Sequence, residues 1–301
     1  MNNSFANDFR YVWNGPNSAI YRLIIINVGV WLLVNLVSLF VPSPGSISVM
    51  AKYLMIPSDP MTFLTQPWSV VTSFFTHESF WHLFWNMIIL YWFGPLAANF
   101  IGTRKVLAAF ILSGLAGSIF YFLLANTIPY FQANAAMGAL GASAAVNGVL
   151  IAAATIAPES RINLLLIGPV KLKYIALVVV VLALFGLRGG NIGGEVAHLG
   201  GALMGFLFIK NLQQGRDWSR WVLSALDWLE NLFKRSSEKK FTVTYGKGKS
   251  SGKGGHSSKS TEQPDPAIID AILDKISESG YDKLTAEEKK ILFRASQHNK
   301  K

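Results

Sequence analysis

Of the five histidines in this chain, His256 and His298 fall in a charged tail, while His77, His82 and His198 sit at the edges of long uncharged runs. Three clusters around the latter group have the residue types for chemistry. The first, His77-Glu78-Ser79-Phe80-Trp81-His82-Leu83-Phe84-Trp85-Asn86, sets His82 and Asn86 four residues apart, about 40° from one another on a helix and so on one face. His77 and His82 are five apart and do not align. That is one residue too many for the His-Glu-x-x-His zinc helix, and no metal site is expected. Without a chemical role, His77 would cap or snorkel at the helix start, and His82 with Asn86 would bond into the bundle.

The second cluster is Gly141-Ala142-Ser143-Ala144-Ala145-Val146-Asn147-Gly148. Ala144, Gly148 and Ala152 form a small-residue stripe suited to close helix packing, which needs no reactive serine. The third, Glu195-Val196-Ala197-His198-Leu199-Gly200-Gly201-Ala202-Leu203-Met204-Gly205, changes the balance. His198, Gly201 and Gly205 fall within about 60° of one another, so the histidine faces wherever the glycines allow tight contact. If that partner is the segment of Ser143, the two meet. A serine hydroxyl is a weak nucleophile until a neighbouring base accepts its proton, and imidazole suits that task. His82, Asn86 and the Ser143 backbone N–H would then serve a developing oxyanion. No Asp or Glu lies between Lys105 and Glu159, and Glu195, one turn from His198, is not expected to orient it.

Positioning these residues falls to segments that cross a lipid bilayer. The 301 residues are 51% apolar and 15% charged, too apolar for disorder and unusual for a soluble domain. Uncharged runs long enough to span about 30 Å of hydrocarbon place span one after Leu23 and span two from Ser79 to Thr103. Spans three and four lie within Val106 to Pro158, joined by a turn near Asn126 to Asn134. Span five lies within Ile162 to Leu187, and span six runs from Val196 to Leu212. Span one is too long, and starts too far in, for a cleaved signal peptide. Cytoplasmic termini put Arg10, Arg22, Arg104, Lys105, Arg161, Lys171, Lys173, Lys210, Arg216 and Arg220 inside and leave Lys52 and Arg188 outside, a strong positive-inside bias. Ser143, His198, His82 and Asn86 then share one layer in the outer halves of spans four, six and two. The 41–79 loop lies outside and packs on the membrane surface.

The first 233 residues carry 12 Lys+Arg and 8 Asp+Glu, and the last 68 carry 15 and 9. Most of the +10 net charge therefore belongs to the tail, which points to anionic lipid or solubility and not to nucleic acid. Five regions are expected: a cytoplasmic segment (1–19), a six-span domain (20–212), an interfacial amphipathic helix (213–235), a Gly/Ser/Lys-rich linker (236–265) and a soluble helical hairpin (266–301). In the hairpin, Thr285 and Glu288 have the spacing of a capping box. With no Cys in the chain, disulfides and thiol catalysis are excluded.

Taken in order, His77-x4-His82-x3-Asn86, Gly141-x-Ser143 and Ala197-His198-x2-Gly201-x3-Gly205 resemble the signature of the rhomboid intramembrane serine proteases over residues 20 to 212, here of the bacterial type with an added C-terminal module. The resemblance implies an all-α membrane fold, a six-helix bundle. It also implies a Ser143/His198 dyad without a third acid, with oxyanion support from His82, Asn86, Gly141 and the Ser143 backbone, and motif positions at His77, Gly201 and Gly205. No cofactor is implied. Partners would be the lipid bilayer and single-pass membrane proteins cut near the outer end of their helix, in the cell's inner membrane, with the hairpin's partner unknown. The first loop and span five would have a structural or gating role, with substrate entering beside span five. Departures from the family pattern are Ala144 after the serine, Asn147 four residues after it, and Trp68-Ser69 in place of Trp-Arg. A non-catalytic relative that binds transmembrane helices is disfavoured by the presence of both Ser143 and His198, and a transporter or channel by the lack of paired intramembrane charges.

Overall fold

The uncharged runs fold as helices because nothing within them competes: apolar side chains dominate, and glycine or proline marks most of the breaks. The computed structural model describes residues 10, 12–41, 47–134, 138–164, 167–233, 266–279, 284–285, 287–289 and 291–292. They fall into two units, Met1–Ser237 and Glu238–Lys301.

In the first unit, helix α1 (Ser18–Ser38) is followed by short loop helices α2 (Val49–Leu54), α3 (Pro60–Thr65) and α4 (Ser69–Thr72), with strand β1 (Ile56–Pro57) among them. The Ser48 and Asp59 side chains cap α2 and α3 by accepting the backbone N–H of Ala51 and Thr62. Helix α5 (Phe80–Ile101) starts at Ser79, whose hydroxyl accepts from the His82 backbone N–H. It ends at Gly102, with φ +81. That single residue, in a conformation only glycine adopts cheaply, turns the chain into α6 (Thr103–Thr127). Helix α7 (Pro129–Asn134) and strand β2 (Gly138–Ala139) follow, then α8 (Ser143–Ile156), strands β3 (Arg161–Leu164) and β4 (Gly168–Lys171), α9 (Leu172–Gly186), α10 (Ile192–Gln213) and α11 (Ser219–Phe233).

Four of these helices, α1, α5, α6 and α10, are long and apolar enough to cross a membrane, while α8 and α9 are shorter apolar helices. At 1.5 Å per residue α8 is about 21 Å long, short of the ~30 Å hydrocarbon core. Two expectations are thereby corrected. Span four does not begin above the serine: the chain enters the bundle as irregular backbone and becomes helical only at Ser143. Irregular backbone at that depth is tolerable where protein covers it. The first part of span five is an antiparallel hairpin, β3 with β4, because Gly168 turns at φ +85 and Pro169 follows it. A second pair, β1 with β2, ties the first loop to the strand that leads to α8, so the fold is helical with two short strand pairs and not purely α. The amphipathic helix expected over 213–235 is α11, Ser219–Phe233, and residues 234 and 235 lie outside the described residues. Arg104 and Asp227 pair between α6 and α11, and Lys105 lies 3.4 Å from Asp217 just before α11.

The interior is the junction of α6, α8 and α10, where glycine sets the spacing. A Cβ on Gly201 would overlap the Ala144 backbone, and one on Gly205 the Gly148 carbonyl oxygen. On the other side, a Cβ on Gly117 of α6 would meet the Ala144 methyl at 2.5 Å. The methyl that Ala144 adds after the serine is thus housed by Gly117.

In the second unit, helix α12 (Pro266–Ser279) buries Ile272, and Leu284 is buried beyond it. Glu288 accepts the Thr285 backbone N–H at 2.7 Å, and Thr285 Oγ1 accepts that of Glu288 at 3.3 Å, a reciprocal cap. Bonds from Lys275 and Thr285 hold the Glu288 carboxyl at about 2. The expected 236–265 linker, the hairpin turn at Gly280 and residues 1–9 and 11 of the N-terminal segment lie outside the described residues.

Gly205→Val should therefore cost about 1–3 kcal/mol or more by overpacking the α8–α10 contact, read as a lowered thermal midpoint in detergent. Gly29→Ala, where a new Cβ meets nothing within 4 Å, should leave the midpoint unchanged or raise it. Equal shifts would show that the glycine contact does not limit stability.

Candidate active site

Helix α8 begins at Ser143, and the first N–H groups of a helix have no intrahelical acceptors. The serine hydroxyl therefore stands beside unpaired backbone donors and the positive end of a helix dipole. Gly141, two residues earlier, has φ +117, and a Cβ there would lie 2.5 Å from the His82 imidazole. Both its conformation and its contact demand glycine. Its N–H donates to the Ser73 carbonyl at 2.9 Å, and the next N–H, of Ala142, donates to His77 Nε2 at 3.2 Å. Two successive backbone donors thus hold the entry to α8 in place.

Because Gly201 and Gly205 bring α10 against α8, His198 reaches the serine: its Nε2 lies 2.7 Å from Ser143 Oγ. Its other ring nitrogen, Nδ1, lies 3.0 Å from Glu195 Oε2. The side chains of His198 and Glu195 are 19% and 21% exposed, so the pair is largely enclosed by protein. A neutral imidazole that accepts from Ser143 at Nε2 carries its proton on Nδ1, which then donates to the Glu195 carboxylate.

The remaining predicted residues divide. His77 is not an interfacial residue; it is 1% exposed, locked under the loop, with its ring 5.1 Å from that of His82 in an edge-on arrangement. Burial, aided by the nearby His82, pushes it from the ordinary 6.5 down to about 3. It stays neutral and keeps a lone pair for Ala142. Asn86 is buried, and its amide donates to the His82 carbonyl at 2.9 Å, which leaves one N–H for another acceptor. In the first loop Trp68 Nε1 donates to the Tyr53 carbonyl at 2.9 Å, and Ser69 is buried, so an indole-to-backbone bond anchors this segment. Sequence reasoning passed over Glu195, although its i,i+3 spacing to His198 was visible, and Gly117, which only the packing reveals.

A cavity of about 20 Å³ adjoins the serine, lined by Ser73, Ser118, Gly141, Ser143 and Gly194 among others. The Ser73 and Ser118 hydroxyls are 3.1 Å apart. Space of that order holds about one water. A far larger apolar cavity, about 660 Å³, lies between α1, the loop helices and α6, and neither Ser143 nor His198 lines it.

The fold brings a serine and a histidine together within a bundle of long apolar helices, and the rhomboid domain matches residues 64–214. The chain belongs to the rhomboid family. A family of unknown function, DUF6576, matches residues 261–298. Among relatives, the chain is 33% identical to rhomboid protein 1, mitochondrial, of Saccharomyces cerevisiae over 205 residues, 66% of this chain and 55% of that one. It is 29% identical to RHOMBOID-like protein 12, mitochondrial, of Arabidopsis thaliana over 159 residues, 49% and 47% of the two chains. A third, presenilin-associated rhomboid-like protein A, mitochondrial, of Danio rerio, is 28% identical over 144 residues, 46% and 36%. The chain spans about half the length of the first two of these and less of the third. All three are eukaryotic proteins, so the bacterial character expected from the sequence finds no support in them.

The sign of the His77 effect follows from its lowered value. The unfolded chain takes up a proton near 6.5 and the folded one only near 3, so stability is complete above 6.5 and is lost as pH falls through that window. His77→Gln should be less stable at neutral pH yet lose less than the wild type between those values, measured as thermal midpoint against pH. Parallel pH profiles would contradict a neutral, acceptor-only His77.

Proposed function

We propose that the protein is an intramembrane serine endopeptidase in which Ser143 is the nucleophile and His198 the general base. The observation that carries this is the 2.7 Å approach of Ser143 Oγ to His198 Nε2 at the start of a helix inside an apolar bundle. In the proposed reaction, Nε2 takes the hydroxyl proton as Oγ bonds to a peptide carbonyl carbon. The carbonyl oxygen becomes an oxyanion, received by the Ser143 backbone N–H with His82 and Asn86 beside it. The imidazolium then protonates the leaving nitrogen as the C–N bond breaks. Water, for which the cavity beside Ser143 has room, repeats the sequence on the acyl-enzyme. Gly141, Gly201 and Gly205 serve by close approach and His77 by bracing the loop.

The substrates in this reading are single-pass membrane proteins. A transmembrane helix hides its carbonyls in hydrogen bonds, so the cut segment must unwind first, and glycine or helix-breaking residues near the bond favour that. The bundle is read as six spans, α1, α5, α6, α8, α9 and α10. Their alternation is supported by the Lys/Arg bias, which puts both termini on the cytoplasmic side of a cell membrane of the bacterial type and the serine near the outer face. The catalytic region is residues 20–212, followed by an interfacial helix (213–235), a linker (236–265) and a soluble module (266–301) whose partner is unknown. The reaction calls on no cofactor or metal.

Labelling purified protein with a fluorescent fluorophosphonate tests the nucleophile without a known substrate. The wild type should label, and Ser143→Ala and His198→Ala should not. A folded wild type that stays unlabelled, beside a rhomboid protease that labels under the same conditions, would favour a non-catalytic helix-binding protein. Separately, a tag on the C-terminal module should be protected from added protease in intact spheroplasts; a tag cleaved from outside would overturn the orientation.

A further inference from the structure

The Ser143–His198 pair does not stand alone. Glu195 is in the first turn of α10, one turn before His198, and its Oε2 is 3.0 Å from the imidazole Nδ1. Helix geometry alone does not impose this, because an exposed glutamate at that position has several rotamers that lead into water. A second element limits the choice. Gly186 ends α9, and a Cβ placed there would lie 2.7 Å from the Glu195 carboxylate carbon and 2.9 Å from its Oε1. The carboxylate is thus packed between the bare backbone of Gly186 and the imidazole ring. The same end of α9 is held from the other side, where Tyr130 of α7 donates its hydroxyl to the Leu187 carbonyl at 3.2 Å.

We propose that Glu195 is the positioning residue of His198, kept on Nδ1 by the close approach of Gly186 at the end of α9. This rests on the reading of Ser143 and His198 as nucleophile and base. An imidazole swings about its Cβ–Cγ bond unless its second nitrogen is fixed, and a carboxylate on Nδ1 fixes both the ring plane and the tautomer that leaves Nε2 free to accept. When Nε2 takes the serine proton, the ring becomes a cation and the adjacent carboxylate stabilises it. No proton is handed to Glu195; the proton passes from Nε2 to the leaving amine. The ring position is thereby coupled to α9: a shift of that helix end moves the wall behind Glu195.

The test follows the fluorophosphonate reaction in time and separates inhibitor affinity from the first-order step that forms the bond to Ser143. Glu195→Ala should slow the first-order step by about 10²-fold, the scale of a misplaced catalytic group, with affinity nearly unchanged. Glu195→Asp, which keeps the carboxylate on a shorter arm, should recover part of the rate. Gly186→Ala introduces no backbone strain, since that glycine has no positive φ; it should slow the same step in the wild type and have no further effect in the Glu195→Ala background. A folded Glu195→Ala that labels at the wild-type first-order rate would overturn the proposal. So would a Gly186→Ala effect of full size in the absence of Glu195. A wild type that does not label at all would remove the nucleophile reading beneath it, an outcome distinct from both.

Discussion

The distance between α8 and α10 sets nearly everything else. Lipid chains are as apolar as leucine, so helices inside a bilayer gain little by hiding apolar surface from one another, and close packing with backbone approach must hold them together. Here Gly201 and Gly205 let α10 lie on the Ala144 and Gly148 backbone, while Gly117 makes room for the Ala144 methyl from α6. One side chain of ordinary size at either α10 position would separate the helices by more than the hydrogen-bonding tolerance of a serine–histidine pair. The Ser143–His198 approach is a by-product of this close helix contact, which explains why its flanking residues are so small.

A second constraint is where α8 begins. A helix that crossed the whole membrane would bury its first N–H groups in headgroups and water. By starting late, α8 brings those donors, and the positive end of its dipole, into the bundle at the position of Ser143. The irregular chain before it must then be satisfied internally, and it is: Gly141 donates to Ser73, Ala142 to the neutral His77, and β2 pairs with β1 of the first loop. The loop helices, capped by Ser48 and Asp59 and pinned by Trp68 on Tyr53, form the frame on which this short segment hangs. Loop and site are one structure in which histidine serves twice, as a buried acceptor at His77 and, in the proposed reaction, as a base at His198.

Much of this was legible in the residues themselves. The uncharged runs located the long helices, the spacing of His198, Gly201 and Gly205 put imidazole and tight contact on one face, and Thr285 with Glu288 announced a cap that forms. What escaped had physical reasons. The start of α8 carries no breaker except Gly141, and Ala142 would suit a helix interior, so only the fold reveals that the helix begins no earlier than Ser143. The β3–β4 hairpin adjoins the apolar run of α9 and was read as the start of a span, although Arg161, Asn163 and Lys171 break its apolar character and Gly168 and Pro169 mark its turn. Glu195 was visible at the right spacing but was not expected to orient His198, because what holds it, Gly186, comes from a different helix. Side chains fixed by their own helix are readable from sequence; those fixed by a neighbour are not.

The central claim is that this geometry cuts peptide bonds within the membrane. Its most direct test is to reconstitute the protein in liposomes with a library of single-pass segments that vary in glycine and proline content, and to map products by mass spectrometry. The account predicts cuts within the outer part of glycine-containing segments by the wild type, none by Ser143→Ala, and little cutting of segments built of leucine. Intact segments throughout, from a protein shown to be folded in the same liposomes, would contradict it.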